Sequence, residues 1–331
     1  MTAKPRPTEF ELIARYFAPL AAGAPGAASL ADDVALITVA AGEDLVLKTD
    51  AIVAGIHFTG QEPARLIARK LLRVNLSDLA AKGARPLGYL LTAVFPQDVE
   101  ENWIADFAGG LAEDQWQYGL SLLGGDTTAT PGPLTLSVTV VGAAARGRTP
   151  RRGDGKKGDS ILVSGTIGDG ALGLRAARGQ LEGLSAQAIR FLQDRYQLPE
   201  PRLALGRALV ESGIVHASMD ISDGLIADLG HICQQSGLAA EIQWSQVPLS
   251  AAARAALGLK PDLREKILGG GDDYELLFTV ADHDAARAME IAAAAGVPVA
   301  VIGTLVSGSG VAIRAEDGSA ITVAQKGFQH F

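Results

Sequence analysis

At 331 residues the chain is long enough for two domains with separate cores, and 48% hydrophobic with 20% charged residues is an ordinary globular composition. A net charge of −8 argues against non-specific nucleic-acid binding, which needs a basic surface. No apolar run approaches the ~18 residues of a membrane span, Glu9, Glu11 and Arg15 interrupt the N-terminal segment as a signal peptide would not, and one cysteine, Cys233, offers no internal disulfide, so a cytoplasmic protein is expected.

Apolar runs of strand length alternate with helical periodicity, which predicts α/β (α+β) architecture. In the first half the pattern predicts strands at Val34–Ala40, Leu45–Lys48, Gly88–Val94 and Leu134–Val141, with helices at Ala64–Lys82 and Glu100–Tyr118. A charged, glycine-rich stretch from Arg146 to Gly158 reads as a linker and divides the chain into domains at 1–147 and 148–331. Beyond it, strands are expected at Ser160–Val163, Val215–Met219, Ala239–Ile242, Glu275–Val280 and Val299–Val306. Helices are expected at Gly170–Arg178, Ala186–Arg195, Pro201–Glu211, Ser222–Gln235 and Ala285–Ala295. The Ala-rich patches read as compositional.

Five acidic segments each accompany a hydrophobic run: Asp32-Asp33, Thr49-Asp50, Asp78, Gly124-Gly125-Asp126-Thr127-Thr128 and Asp220-Ile221-Ser222-Asp223. Carboxylates sharing one cleft repel each other and lose hydration, so cations must lie among them. Hard oxygen donors suit Mg²⁺, and clustered Mg²⁺ goes with polyphosphate chemistry. Asp78 is the sharpest case. Ile67, Leu71 and Val74 fall on one helix face and Asp78 continues the stripe, where a carboxylate needs a partner. A salt bridge to a core arginine is the alternative, but the other acidic segments favour a metal ligand. Leu45-Val46-Leu47 is expected to be a buried strand delivering Lys48-Thr49-Asp50 at its C-terminal end, where open α/β sheets place ligand groups. Taken alone, Asp32-Asp33 or Thr49-Asp50 is more simply a turn.

Gly124-Gly125 follows Leu120–Leu123 either as a plain tight turn or as backbone that approaches a ligand beside Asp126. At Asp220–Asp223, an N-cap role for Ser222 or Asp223 leaves Asp220 unexplained, whereas a metal–phosphate site at the helix start uses all three. Gly269–Glu275 reads as a flexible acidic loop that closes over a ligand, or as a simple hairpin loop. Gly168–Gly173 matches G-x-G-x-x-G, yet the second strand ending in an acid is missing, so NAD is not expected; the loop remains a candidate phosphate-facing helix start. Neither a Walker A loop nor a protein-kinase catalytic loop occurs.

In this order, Asp32–Leu36, Lys48-Thr49-Asp50 with Gly55-Ile56-His57-Phe58, Val74–Ala81, Gly124–Thr128, Asp220–Leu225 and Gly271–Leu276 resemble the thiamine-monophosphate kinases of the aminoimidazole ribonucleotide synthetase superfamily, over nearly the whole chain. The resemblance implies a two-domain aminoimidazole ribonucleotide synthetase-like fold and a homodimer formed through the N-terminal sheets. It also implies ATP-dependent phosphorylation of thiamine monophosphate to thiamine diphosphate with several Mg²⁺ ions. By the same resemblance, metal ligands fall at Asp33, Thr49, Asp50, Asp78, Asp126, Asp220 and Asp223. ATP contacts fall at Gly125, Asp126, Arg152 and Ser222, and contacts to the thiamine substrate at His57, Asp272 and Phe328. On its own surroundings His57 reads equally as a satisfied loop histidine.

Two residues depart from the family pattern. Lys48 stands where the family often has a hydroxyl ligand, so an ammonium is expected to replace one Mg²⁺. Asp272 stands where Glu is usual, one methylene shorter, which leaves a direct or a water-mediated substrate contact open. The rivals are another ATP-using enzyme of the superfamily and a non-catalytic regulator that binds metal and nucleotide.

Overall fold

The computed structural model describes residues 8–31, 34–324 and 327. They divide into two compact units, Met1–Leu79 with Arg85–Arg146, and Ala80–Ala84 with Gly147–Phe331.

After a short helix α1 (Glu9–Leu12), the first unit runs β1 (Glu43–Val53), α2 (Ala64–Ala81), β2 (Arg85–Pro96), α3 (Glu101–Tyr118), β3 (Ser121–Thr130) and β4 (Thr135–Ala145). Its four-stranded sheet has the order β1-β4-β2-β3, antiparallel except for the β2–β3 pair. The strand period of two gives the sheet unlike faces. Leu136, Val138 and Val140 of β4, with Tyr89 and Leu91 of β2, are buried on one side. Leu45, Leu47 and Leu90 point to the other and are 48%, 64% and 42% exposed. Helix α3 buries Ile104, Phe107 and Leu111 and stops at Gly119, whose φ of +68° suits the left-handed C-terminal position. It is tied to α2 through Asp114, fully buried, which accepts Arg69 Nε at 2.8 Å and Arg73 Nε at 2.7 Å. A buried carboxylate needs such partners.

Three expectations for this unit are corrected. Val34–Ala40 forms no strand; Val34 and Leu36 are 65% and 77% exposed, and the Leu36 N–H donates to the Gly26 carbonyl at 2.9 Å rather than to a strand. Leu45–Leu47 is not buried, because β1 lies at the sheet edge with these leucines on the open face, and the strand continues past Asp50 to Val53. Gly124-Gly125 is no turn but lies within β3, opposite Leu90 and Leu91.

The second unit runs β5 (Ser160–Ser164), α4 (Asp169–Ala177), α5 (Ala186–Gln197), α6 (Leu203–Ser212), β6 (Val215–Asp220), α7 (Leu225–Ser236), β7 (Ala239–Gln243), α8 (Ala251–Leu259), α9 (Leu263–Gly269), β8 (Leu276–Val280), α10 (Ala285–Ala294), β9 (Val299–Val306) and β10 (Gly310–Arg314). The sheet order is β10-β7-β9-β5-β8-β6, and only β10–β7 is parallel. Strands β5 and β8 are buried at every position because both faces are covered. Ile161 and Val163 pack with Leu172, Leu225 and Ile267 of α4, α7 and α9, while Leu162 and Phe278 pack with Leu205 and Ala288 of α6 and α10. This two-sided cover explains the unbroken apolar runs. The segment 80–84 belongs here too: Lys82 Nζ donates to Ser218 O at 2.6 Å and to Pro150 O at 3.1 Å. The Ala-rich patch at 251–256 is structural, since α8 buries Ala252, Ala253 and Ala256 in the core. Among the described residues no helix is long and apolar enough to cross a membrane.

Candidate functional site

Within the first unit the sheet and α2 bring two of the acids together. Alternation along β1 turns Lys48 and Asp50 to the buried face, where their cross-strand partners are Val140 and Val138. The stripe of α2 carries Asp78 to the same place. Lys48 Nζ lies 3.2 Å from Asp50 Oδ2 and 3.1 Å from Asp78 Oδ2. An ion-pair partner for Asp78 is therefore a strand lysine rather than the core arginine considered as the alternative. Thr49 faces the other way and pairs its hydroxyl with Thr139 Oγ1 at 3.0 Å.

His57 follows in the turn after β1. Its Nδ1 accepts the Val53 N–H at 3.1 Å, so the neutral ring carries its proton on Nε2. Lys70 Nζ donates to the His57 carbonyl at 3.3 Å. Asp126 is placed apart from Asp50 and Asp78. It registers with Thr92, which registers with Ser137 and so belongs to the open face, on the edge strand opposite β1 with two strands between them. Next to it, a Cβ on Gly125 would lie 1.8 Å from the Leu91 carbonyl oxygen. The tight β2–β3 approach requires that glycine whether or not a ligand is present.

In the second unit β6 ends on Asp220, which is buried, and a four-residue bend, Ile221 to Gly224, leads to α7. The N-cap position is Gly224, with no side-chain cap, so neither Ser222 nor Asp223 plays that role. The carboxylate that organises the bend is Asp228, one turn into α7. Its Oδ2 accepts the N–H groups of Ser222, Asp223 and Gly224, each at 3.1 Å. Burial, and after it the Asp223 carboxylate, pushes Asp228 up to about 7. The sequence reading missed Asp228, although its signal was that of Asp78: a carboxylate on the buried stripe of Leu225, Leu229 and Ile232. Asp223, Asp228 and His231 offer ligand atoms within 4.8 Å of one another, a donor set of oxygens and one nitrogen.

Arg152 is exposed, and its carbonyl accepts from Ser236 Oγ at 3.2 Å, at the C-terminal end of α7. Ser222 precedes the N-terminal end of the same 12-residue helix, so about 18 Å of helix separates the two backbones.

Gly269–Glu275 is not a flexible loop. Asp273, fully buried, accepts Gly168 N–H at 2.7 Å and Gly170 N–H at 3.0 Å. Burial drives its carboxyl well above the usual range. Asp272 N–H donates to Ser222 O at 2.9 Å and Tyr274 N–H to Ile221 O at 2.8 Å, while Ile221 N–H donates to Glu275 O at 2.9 Å. Asp272 and Tyr274 sit at φ of +70° and +51°, conformations that persist only where surrounding bonds dictate them. The segment is a fixed strap that laces half-buried Asp272 to the Asp220–Asp223 bend. The internal carboxylate of Asp273 takes the Gly168 and Gly170 amides of the Gly168–Gly173 loop, so those two do not face a phosphate. Asp33 and Phe328 lie outside the described residues.

Two mixed α/β units of this order define the AIR synthase related class. Residues 31–144 match the family described as AIR synthase related protein, N-terminal domain, and residues 156–316 match its C-terminal domain. The chain is 44% identical to the thiamine-monophosphate kinase of Caulobacter vibrioides, over 98% of this chain and 91% of that one. Its fold is similar to the crystal structure of the thiamine-monophosphate kinase from Stenotrophomonas maltophilia, with 41% identity, a TM-score of 0.80, and 88% and 91% of the two chains covered. AaThiL complexed with AMPPCP and TMP is similar at 30% identity and a TM-score of 0.77, with 91% of each chain covered. This chain belongs to the thiamine-monophosphate kinase family.

Proposed function

We propose that this protein transfers the γ-phosphoryl group of ATP to thiamine monophosphate, giving thiamine diphosphate. The observation that carries the reading is the meeting of Asp50 and Asp78 on one face of the first sheet, in a chain alike over 98% of its length to a thiamine-monophosphate kinase. Asp50 and Asp78 supply hard oxygen that fits Mg²⁺, as do Asp220 and Asp223 in the second unit. Thr49 and Asp126, which the register turns to the other face of the first sheet, and Asp33 are assigned as ligands on the family resemblance alone. When bound, the ions neutralise anionic phosphate oxygens and so let two phosphates approach.

The acceptor explains why no general base is needed. A phosphate monoester loses its second proton with a pKa of about 6, so its oxygen is already a nucleophile at neutral pH. The chain's own task is to position donor and acceptor for direct in-line transfer. Gly125, Asp126, Ser222 and Arg152 are assigned to ATP, with the exposed Arg152 guanidinium adding charge along the phosphates. His57, through its Nε2 edge, Asp272 on the fixed strap, and Phe328 are assigned to the thiamine substrate.

A homodimer in the cytoplasm is part of the same proposal. Leu45, Leu47 and Leu90 are exposed apolar side chains on the open face of the first sheet, the kind of surface a second copy covers. Light scattering on the purified protein is expected to give twice the chain mass; a monomer at micromolar concentration ends that part.

The activity is tested by coupled ADP release with ATP, Mg²⁺ and thiamine monophosphate. Release with thiamine monophosphate well above that with thiamine, aminoimidazole precursors or water is expected. No release with any acceptor favours the regulator instead. Brief exposure to γ-labelled ATP should leave no label on the protein, and a burst of labelled enzyme overturns direct transfer.

A further inference from the structure

We propose that Lys48 is a resident cation of the Asp50–Asp78 pair, standing where a divalent ion would otherwise bridge the two carboxylates. The assignment rests on the metal-dependent reading of this site and deepens it. Two independent features bring the three groups together. The period of β1 places Lys48 and Asp50 two residues apart on one face, and the apolar stripe of α2 carries Asp78 over that face. Nζ then stands 3.2 Å from one carboxylate and 3.1 Å from the other, nearly equidistant. Lys48 is held there with 31% of its side chain exposed, against 43% for Asp50 and 21% for Asp78.

A Mg²⁺ ion shared by the same two oxygens would sit about 2.0–2.1 Å from each, inside the space that the ammonium fills. Two cations that close repel strongly, so one displaces the other. With Lys48 in place the pair carries one net negative charge instead of two and is drawn together before any ion arrives. The ions that serve the phosphates are then fewer by one at this pair. Lysine provides a positive charge but no oxygen and no exchangeable water, so its contribution is to position the two carboxylates.

The test counts ions rather than turnover. Mn²⁺ alone is titrated into the full chain and bound ions per chain are read by electron paramagnetic resonance and native mass spectrometry. Lys48→Thr is expected to bind one more Mn²⁺ per chain than the parent, and Lys48→Arg to keep the parent count. The thermal midpoint of Lys48→Thr should be lower than the parent's without ions and should rise further on adding Mg²⁺. Lys48→Met, which removes the charge without offering an oxygen, should show the same extra sensitivity to Mg²⁺ and serves if the threonine variant does not fold. Equal ion counts and equal Mg²⁺-induced shifts in all variants overturn the assignment. Because no nucleotide or acceptor is present, the outcome separates from the kinase assay. ADP release with equal counts removes only the role of Lys48, and an extra ion without ADP release keeps that role while removing the kinase.

Discussion

Replacing Asp220 with asparagine is expected to lower kcat for thiamine diphosphate formation about 10²–10³-fold, the loss of several kcal/mol of metal-supplied charge stabilisation at about 1.4 kcal/mol per tenfold. The side chain keeps its shape, and the change removes the charge and one of two equivalent oxygens. Asp220 terminates β6 and is buried, directly before the bend whose three amides converge on Asp228. The expected signature is a fall in kcat at saturating ATP with a higher Mg²⁺ requirement. A control comes from Asp169, also buried, which accepts from Ser250 Oγ at 2.6 Å and whose carboxyl is pushed upward by burial. Asp169→Asn should leave the Mg²⁺ requirement unchanged. Asp220→Asn retaining kcat within about tenfold of the parent at every Mg²⁺ concentration would remove Asp220 from the ligand set, since that is less than a metal's several kcal/mol.

What could be read from the chain beforehand followed from periodicity. The helix over Asp78 was legible because its stripe of Ile67, Leu71 and Val74 is regular, and the strand Val299–Val306 because its apolar run is bounded at both ends. Strand β3 was hidden because Gly124-Gly125 looks like a turn, and only the close Leu91 carbonyl explains a glycine inside a ladder. Val34–Ala40 misled in the opposite direction, with strand-like side chains but a backbone bond from Leu36 to Gly26 instead of a ladder. The exposure of Leu45 and Leu47 depends on the sheet order, which local sequence does not carry. For the candidate site, the pairing of Asp50 with Asp78 was anticipated from the company of acids, but the ammonium between them was anticipated only through the family resemblance. The separation of Asp126 from that pair is a property of register: one residue of offset moves a side chain to the other face. Acidic residues in the strap looked alike in sequence, yet Asp273 and Glu275 hold the fold and only Asp272 is left half-exposed.

The strap makes the second large prediction. Glu275→Ala should lower the stability of the second unit by about 3–5 kcal/mol, the cost of removing one partner from a buried ion pair. Its carboxylate is wholly buried and fully used. Oε1 accepts Arg195 Nη2 at 2.7 Å and Arg202 Nη2 at 2.6 Å, and Oε2 accepts Arg202 Nε at 2.8 Å and Ser164 Oγ at 2.6 Å. Ser164 Oγ in turn accepts the Leu276 N–H at 2.8 Å, so β5, β8 and two arginines share one anion. Without it Arg195 and Arg202, 16% and 17% exposed, lose the anion between them. For a unit of this size the loss corresponds to a fall in thermal midpoint of about 6–20 °C, at 2–4 °C per kcal/mol. Glu275→Gln keeps the volume and one acceptor but turns an N–H₂ toward donors, so it should fall between the parent and the alanine variant. Because Glu275 O receives the Ile221 N–H, loosening the strap also frees the Asp220 bend, and the KM for thiamine monophosphate should rise before unfolding begins. A midpoint for Glu275→Ala within about 1 °C of the parent would mean that the two arginines find other anions and that the strap is not held by charge, since even 1 kcal/mol moves a unit of this size further than that.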